Sequence, residues 1–105
     1  MIRAEIFRNH DGLLTGFHIS GHSGMAEEGQ DILCAFVSSA AYMTANTITD
    51  IICANATAEV HDGDMKVMVC EKIPDCQVIL EGLLLHLSAT EKQYPDYLKT
   101  VCSVV

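Results

Sequence analysis

The segment from Ile32 to about Ala54 constrains the fold more than any other part of the chain. Its apolar and small residues recur with the period of an α-helix, and Asp50 is its only charged residue. Most of the circumference of such a helix must be buried against other elements. Because Thr44 and Asn46 are among the polar residues that interrupt the run, we predict a core helix and not a membrane span.

Four segments of alternating apolar and polar residues surround this helix in the sequence. Met1–Asn9 and Leu13–His22 flank one turn that contains Asp and Gly, and Thr57–His61 and Met65–Glu71 flank another. Alternation with a period of two is typical of half-buried strands, and short Asp-Gly turns are typical of hairpins. The sequence therefore predicts two β-hairpins, one on each side of the first helix.

A second helix is predicted from Pro74 to about Gln93, with a leucine-rich stripe and Pro95 after its end. The order ββαββα indicates an α+β fold in which a four-stranded, mainly antiparallel sheet packs against two helices, as a single domain over residues 1–105. The segment from Tyr97 to Val105 fits a helical extension, an edge strand or a loose tail. Since one small domain offers little surface to cover a nearly uncharged helix, we predict a homodimer.

Charge and cysteine content exclude several classes of protein. The formal net charge is −8 and only six residues are Lys or Arg, which argues against nucleic-acid binding. The N-terminus lacks the apolar core of a signal peptide, so a cytoplasmic location is expected. The five cysteines are odd in number and form no C-x-x-C pair, which predicts reduced thiols without a disulfide framework or a zinc ribbon.

One segment carries residues suited to nucleophilic chemistry. His22 follows the second predicted strand, and Cys34 falls in the first turn of the first predicted helix. The helix dipole and a nearby imidazolium both lower the pKa of a thiol. Cys34 then either is a thiolate paired with His22 near neutral pH or gives its proton to His22 during the attack. Asp31 is placed to act as the helix N-cap, and Ser38 lies one helical turn beyond Cys34 on the same face.

The stretch between these two residues contains Gly21, Gly24 and Gly29, which predicts a mobile loop over residues 24–29 that becomes ordered on a bound peptide. Two other interpretations of this region are weaker. A phosphate site at the helix N-terminus would be repelled by three carboxylates, and a metal site built on His18 and His22 has no further ligand at a usual spacing. Neither a metal nor a cofactor is expected.

The pattern Gly21-His22-x-Gly24, followed by Gly29-x-Asp31-Ile32-x-Cys34-Ala35-x-Val37-Ser38, resembles the signature of the ribosomal-processing cysteine protease family, Prp. The resemblance covers essentially the whole chain. It implies that Cys34 is the nucleophile and His22 its base, that Asp31 and Ser38 support them, and that the loop after Gly21 flexes over the substrate. The implied substrate is the N-terminal extension of a large-subunit ribosomal protein, the twenty-seventh in the usual naming.

The chain departs from the family pattern at Ser23 and Phe36, where alanine is more common, and at Met25, where an aromatic residue is common. These departures concern the fit of the substrate. Two functions of different classes follow: a cysteine endopeptidase with a Cys-His dyad, or a non-catalytic ribosome-associated module that binds a peptide. Selective alkylation of Cys34 at neutral pH would favour the first, since a merely packed cysteine is inert.

Overall fold

The computed structural model describes residues 1–24 and 31–105. The predicted loop over residues 24–29 therefore lies outside the described residues, apart from Gly24. The described part contains five strands and two α-helices: β1 (Ile2–Arg8), β2 (Leu14–Ser20), α1 (Ile32–Asn46), β3 (Ala56–His61), β4 (Asp64–Val69), α2 (Gln77–Gln93) and β5 (Leu98–Val104).

The strands form one mixed sheet in the order β3-β4-β2-β1-β5. Both predicted hairpins are present, as antiparallel pairs of β1 with β2 and of β3 with β4. The α+β class with two helices is confirmed, but the predicted count of four strands is wrong, because β5 runs parallel to β1 along its whole length. Only Leu98 of β5 is buried, so this edge strand lacks the clear alternation that marks strands in a sequence.

The helix α1 begins at Ile32 and α2 ends at Gln93, as predicted, but α1 ends earlier and α2 begins later than the sequence predicts. After Asn46, α1 passes into a π-helical turn, Thr47–Ile51, in which the N–H of Ile52 donates to the carbonyl of Thr47. Cys53 then has a positive φ of 59°, which ends the helical path. The second helical segment opens with a 3₁₀ turn, Ile73–Cys76, because Pro74 is tolerated only in a first turn.

The core lies between the sheet and the two helices. Both helices contribute one buried face to this core: Leu33, Val37 and Ala41 from α1, and Leu80, Leu83 and Leu87 from α2. The sheet contributes buried residues that include Ile2, Ala4, Ile6, Leu14, Phe17, Ile19, Val67 and Leu98. This packing places the start of α1 beside the end of β2. The residues that the sequence singles out for chemistry are therefore neighbours in space.

Much of α1 is not covered within one chain. Ile32, Phe36 and Met43 are exposed by 83%, 48% and 55%. Among the described residues, Ile32–Ile51 also has the length and apolar character of a membrane-crossing helix, a test that the core helices of soluble proteins pass as well. The outer face of α1 is thus an apolar surface on this protomer.

Candidate active site

Asp31 is the N-cap of α1 and organises the start of the helix. Its backbone is extended, with φ −81° and ψ 102°, and its Oδ1 accepts a hydrogen bond of 3.0 Å from the N–H of Cys34. Its carbonyl accepts from the N–H of Ala35 at 3.2 Å. Because an N-cap carboxylate bonds to the residue two or three positions later, the spacing from Asp31 to Cys34 places the thiol next to the carboxylate.

The second carboxylate oxygen of Asp31 is shared by three donors. The Cys34 thiol donates to Oδ2 at 3.1 Å, and the N–H of Ser23 donates at the same distance. The Ser23 hydroxyl makes a short hydrogen bond to this oxygen. The Ser23 N–H also approaches the Cys34 sulfur at 3.3 Å. Ser23 and Asp31 are both buried, so these three residues form a compact polar cluster beneath the cleft.

His22 lies at the mouth of this cluster. Its Nδ1 is 3.9 Å from the Cys34 sulfur, a distance at the long end for a hydrogen bond that involves sulfur. The ring is exposed to solvent, while the thiol is half-buried. The structure therefore brings together the two side chains predicted as a dyad, with the thiol hydrogen-bonded to Asp31 and the imidazole close to the same sulfur.

Burial and hydrogen bonds set the protonation of the cluster. Burial alone would raise the pKa of Asp31, but the hydrogen bonds from Ser23 and Cys34 outweigh it and lower this pKa from 3.8 to about 2. Burial raises the pKa of the Cys34 thiol, and the hydrogen bond and negative charge of Asp31 raise it further. Burial and the Asp31 carboxylate thus favour the protonated thiol in this arrangement, whereas the helix dipole and an imidazolium favour the thiolate.

The cluster opens into a cleft of about 370 Å³ between α1 and the turn that joins β3 to β4. One end holds His22, Asp31 and Cys34. The remaining wall is formed along α1 and by the second hairpin, and includes Val37, Ser38, Ala41, Tyr42, Val60, His61, Asp62, Gly63, Asp64 and Met65. Ser38 therefore lines the cleft one turn beyond Cys34, at the place that the helical period predicts.

The glycines of the motif serve different purposes. Gly21 has a φ of +89°, and a Cβ there would overlap the carbonyl oxygen of Met1, so only glycine fits. Gly24 has a φ of +78° and open space around it. Gly29 lies outside the described residues. Close packing against the chain start thus requires glycine at position 21.

The alternative of a metal site gains no support. His18 faces β4, where its Nε2 lies 3.0 Å from Oδ1 of Asp64. Within residues 1–24 and 31–105, no group of three or more His, Cys, Asp or Glu side chains is arranged to hold a metal ion. All five cysteines are free thiols.

A model of the cysteine protease Prp family matches residues 1–99 of this chain. The chain belongs to the cysteine protease Prp family. The ribosomal processing cysteine protease Prp of Bacillus subtilis is 27% identical over 114 aligned positions, which cover the whole of both chains. The protein of the same name from Staphylococcus aureus is 26% identical and covers 94% of this chain and 96% of its own length.

Solved structures of Prp share the fold. The crystal structure of the S. aureus Prp with a covalently linked product peptide has a TM-score of 0.89 and 24% identity, and covers 98% of this chain and 100% of its own. A second S. aureus Prp structure, in complex with a substrate peptide, has a TM-score of 0.85 at the same identity and coverage. The predicted family and the predicted enzyme class, a cysteine protease, are confirmed. The roles of the individual residues stay predictions.

Two residues of the site are not predicted from the sequence. Ser23 is only a departure from the family pattern there, yet it donates twice to Asp31. Gly63 belongs to the second Asp-Gly turn of the sequence, yet it lies against the His22 ring. The position of Ser23 next to His22 was a usable signal for the first. No local pattern signals the second, since 41 positions separate it from His22.

Proposed function

We propose that this chain is an endopeptidase that removes the N-terminal extension of the twenty-seventh large-subunit ribosomal protein, with Cys34 as nucleophile and His22 as general base. The observation that carries the proposal is the 3.9 Å approach of the His22 Nδ1 to the Cys34 sulfur, at the end of a cleft in a member of the Prp family. The curated relatives are named for ribosomal processing, which supports the substrate class.

The raised pKa of Cys34 supports one of two forms of the mechanism. A preformed thiolate–imidazolium pair is disfavoured, because burial and the hydrogen bond to Asp31 raise the pKa of the Cys34 thiol. Asp31 is itself a poor base, since its pKa is about 2. The thiol hydrogen must therefore turn from Asp31 to Nδ1 of His22, which accepts the proton as the sulfur attacks the scissile carbonyl. His22 then protonates the leaving amine, and water releases the acyl group from the sulfur.

The hydrogen bonds that Asp31 accepts limit which backbone N–H groups can form an oxyanion hole. Backbone N–H groups at a helix N-terminus often stabilise a developing oxyanion. Here the N–H groups of Cys34 and Ala35 both donate to Asp31. The oxyanion of the tetrahedral intermediate is therefore expected to use other donors, while Asp31 keeps the helix start and the sulfur in place.

The cleft suits an extended peptide with apolar side chains. Beyond the sulfur, its wall contains Val37, Ala41, Tyr42 and Val60, which provide apolar contact on both sides. The binding of a substrate peptide and a covalently linked product peptide by the S. aureus Prp supports a peptide in the corresponding cleft of this chain. The net charge of −8 favours encounter with a basic partner, as ribosomal proteins generally are.

The proposal is tested by incubating the purified protein with the ribosomal protein that carries its N-terminal extension and identifying the products by mass spectrometry. Cys34→Ala should abolish cleavage without loss of structure by circular dichroism. Cys102→Ala, at an exposed cysteine in β5, is the matched control and should cleave normally. Full cleavage by a folded Cys34→Ala variant would refute the mechanism.

We further propose that the protein acts in the cytoplasm as a homodimer, without binding nucleic acid or a membrane. Support for the dimer is the exposed apolar surface of α1 around Phe36 and Met43. Light scattering on the purified protein gives the oligomeric state directly. A monomer at micromolar concentration would contradict this proposal.

A further inference from the structure

The turn between β3 and β4 approaches the proposed active site from the sheet side. Its second residue, Gly63, has a φ of +68° and lies against the His22 ring. A Cβ at this position would be 2.8 Å from Nε2, 3.3 Å from Cε1 and 3.5 Å from Cδ2. Real Cβ atoms essentially never come as close as the 2.8 Å contact with Nε2, so the imidazole occupies part of the space that any other residue would need for its side chain.

A backbone hydrogen bond holds the turn in this place. The β2–β4 pairing ends at Ser20 opposite Asp64, and one further bond of 2.9 Å runs from the N–H of Gly21 to the carbonyl of Gly63. This bond joins the turn to the residue directly before His22. The ring is therefore confined between the turn on its Nε2 side and the Cys34 sulfur, 3.9 Å from its Nδ1.

We propose that Gly63 is a positioning residue for the proposed Cys34–His22 reaction. Because Gly63 has no side chain, the His22 ring can pack against the turn, and this contact sets the distance from Nδ1 of His22 to the thiol. This inference rests on the proposed dyad. A methyl group at residue 63 would force Nε2 to move from 2.8 Å to an ordinary contact distance of 3.4 Å or more, and displacement on the order of 1 Å can cost about 100-fold in rate.

The test compares Gly63→Ala with Gly12→Ala. Both glycines lie in hairpin turns with positive φ, +68° and +85°, so both substitutions impose a similar backbone strain. A Cβ on Gly12 meets nothing within 4 Å. With a fluorogenic peptide that spans the ribosomal protein extension, Gly63→Ala should lower kcat by roughly 10- to 100-fold with little change in KM. Gly12→Ala should leave both constants unchanged.

A double variant separates positioning of the ring from a general disturbance of the cleft. If Gly63 acts through His22, then Gly63→Ala should cause no further loss in the residual cleavage of His22→Ala, because the displaced ring is absent. An equal loss in both backgrounds would overturn the inference. So would equal kcat values for Gly63→Ala and Gly12→Ala. Unimpaired cleavage by His22→Ala would instead refute the dyad, so the two failures can be told apart.

A second substitution covers the case in which Gly63→Ala does not fold. Asn tolerates a positive φ better than other residues with a side chain, and it places the same Cβ against the ring. Gly63→Asn should therefore lose kcat while Gly12→Asn retains it. A Gly63→Asn enzyme with normal kcat would overturn the inference.

Discussion

Replacing Asp31 by Asn tests the electrostatics of the cluster at one atom. The amide retains one oxygen, which can still cap α1 through the N–H of Cys34. It replaces the other oxygen by an NH₂ group, which cannot accept the hydrogen bonds that Oδ2 receives from Ser23 and the Cys34 thiol. Two results are expected: a loss of stability that depends on pH, and a more acidic Cys34.

The size of the stability loss follows from the pKa of Asp31. The fall from 3.8 to about 2 on folding corresponds to about 2 kcal/mol of stabilisation at neutral pH. Because the folded pKa is the lower one, this contribution is complete above about pH 5 and disappears as the pH falls toward 2. Asp31→Asn should therefore lower the free energy of unfolding by about 2 kcal/mol at pH 7 and by roughly half of that at pH 3.

Urea unfolding of the unmodified protein and of Asp31→Asn at pH 7, 5 and 3 measures this difference in the free energy of unfolding. Asp11→Asn makes the same change in charge at an exposed turn residue and serves as the control, with little expected effect. A stability difference between Asp31→Asn and the unmodified protein that does not change from pH 7 to pH 3 would refute the reasoning.

The reactivity of the thiol gives the second result. Since the hydrogen bond and charge of Asp31 help to raise the pKa of Cys34, the amide should lower this pKa and shift iodoacetamide alkylation to lower pH. Alkylation that is equal to or slower than that of the unmodified protein at pH 7 would show that Asp31 does not hold the thiol protonated.

Three further outcomes are expected. In the unmodified enzyme without substrate, alkylation of Cys34 should require a higher pH than alkylation of a free thiol of ordinary pKa, and rapid reaction at pH 7 would contradict the raised value. His22→Ala should lower kcat by roughly 100- to 10,000-fold because the general base is lost. His10→Ala, at an exposed turn, should leave kcat unchanged, and similar kcat values for the two variants would show that His22 is not the general base. Leu98→Ala should lower the free energy of unfolding by about 2–5 kcal/mol, because the side chain is fully buried. Val104→Ala, at the exposed end of β5, should lower it far less. Equal losses in the two variants would show that β5 does not contribute to the core through Leu98.

The local patterns of the sequence were sufficient for most of the architecture. Alternation around two Asp-Gly turns determined the hairpins, and helical periodicity located both helices, because these signals act between residues close in the chain. The spacing of Asp31 and Cys34 likewise determined the N-cap bond. The approach of His22 to Cys34 followed from a strand end and a helix start joined by a short connection.

Only the tertiary structure decided the features that depend on distant segments. The parallel pairing of β5 with β1 requires the chain to return across the sheet through α2, and an exposed edge strand carries little pattern of its own. The raised pKa of Cys34 depends on the burial of the thiol and on its contact with Asp31, which a count of nearby charges does not reveal. The contact of Gly63 with the His22 ring arises because β4 pairs with β2, so its physical origin is sheet register and not local sequence.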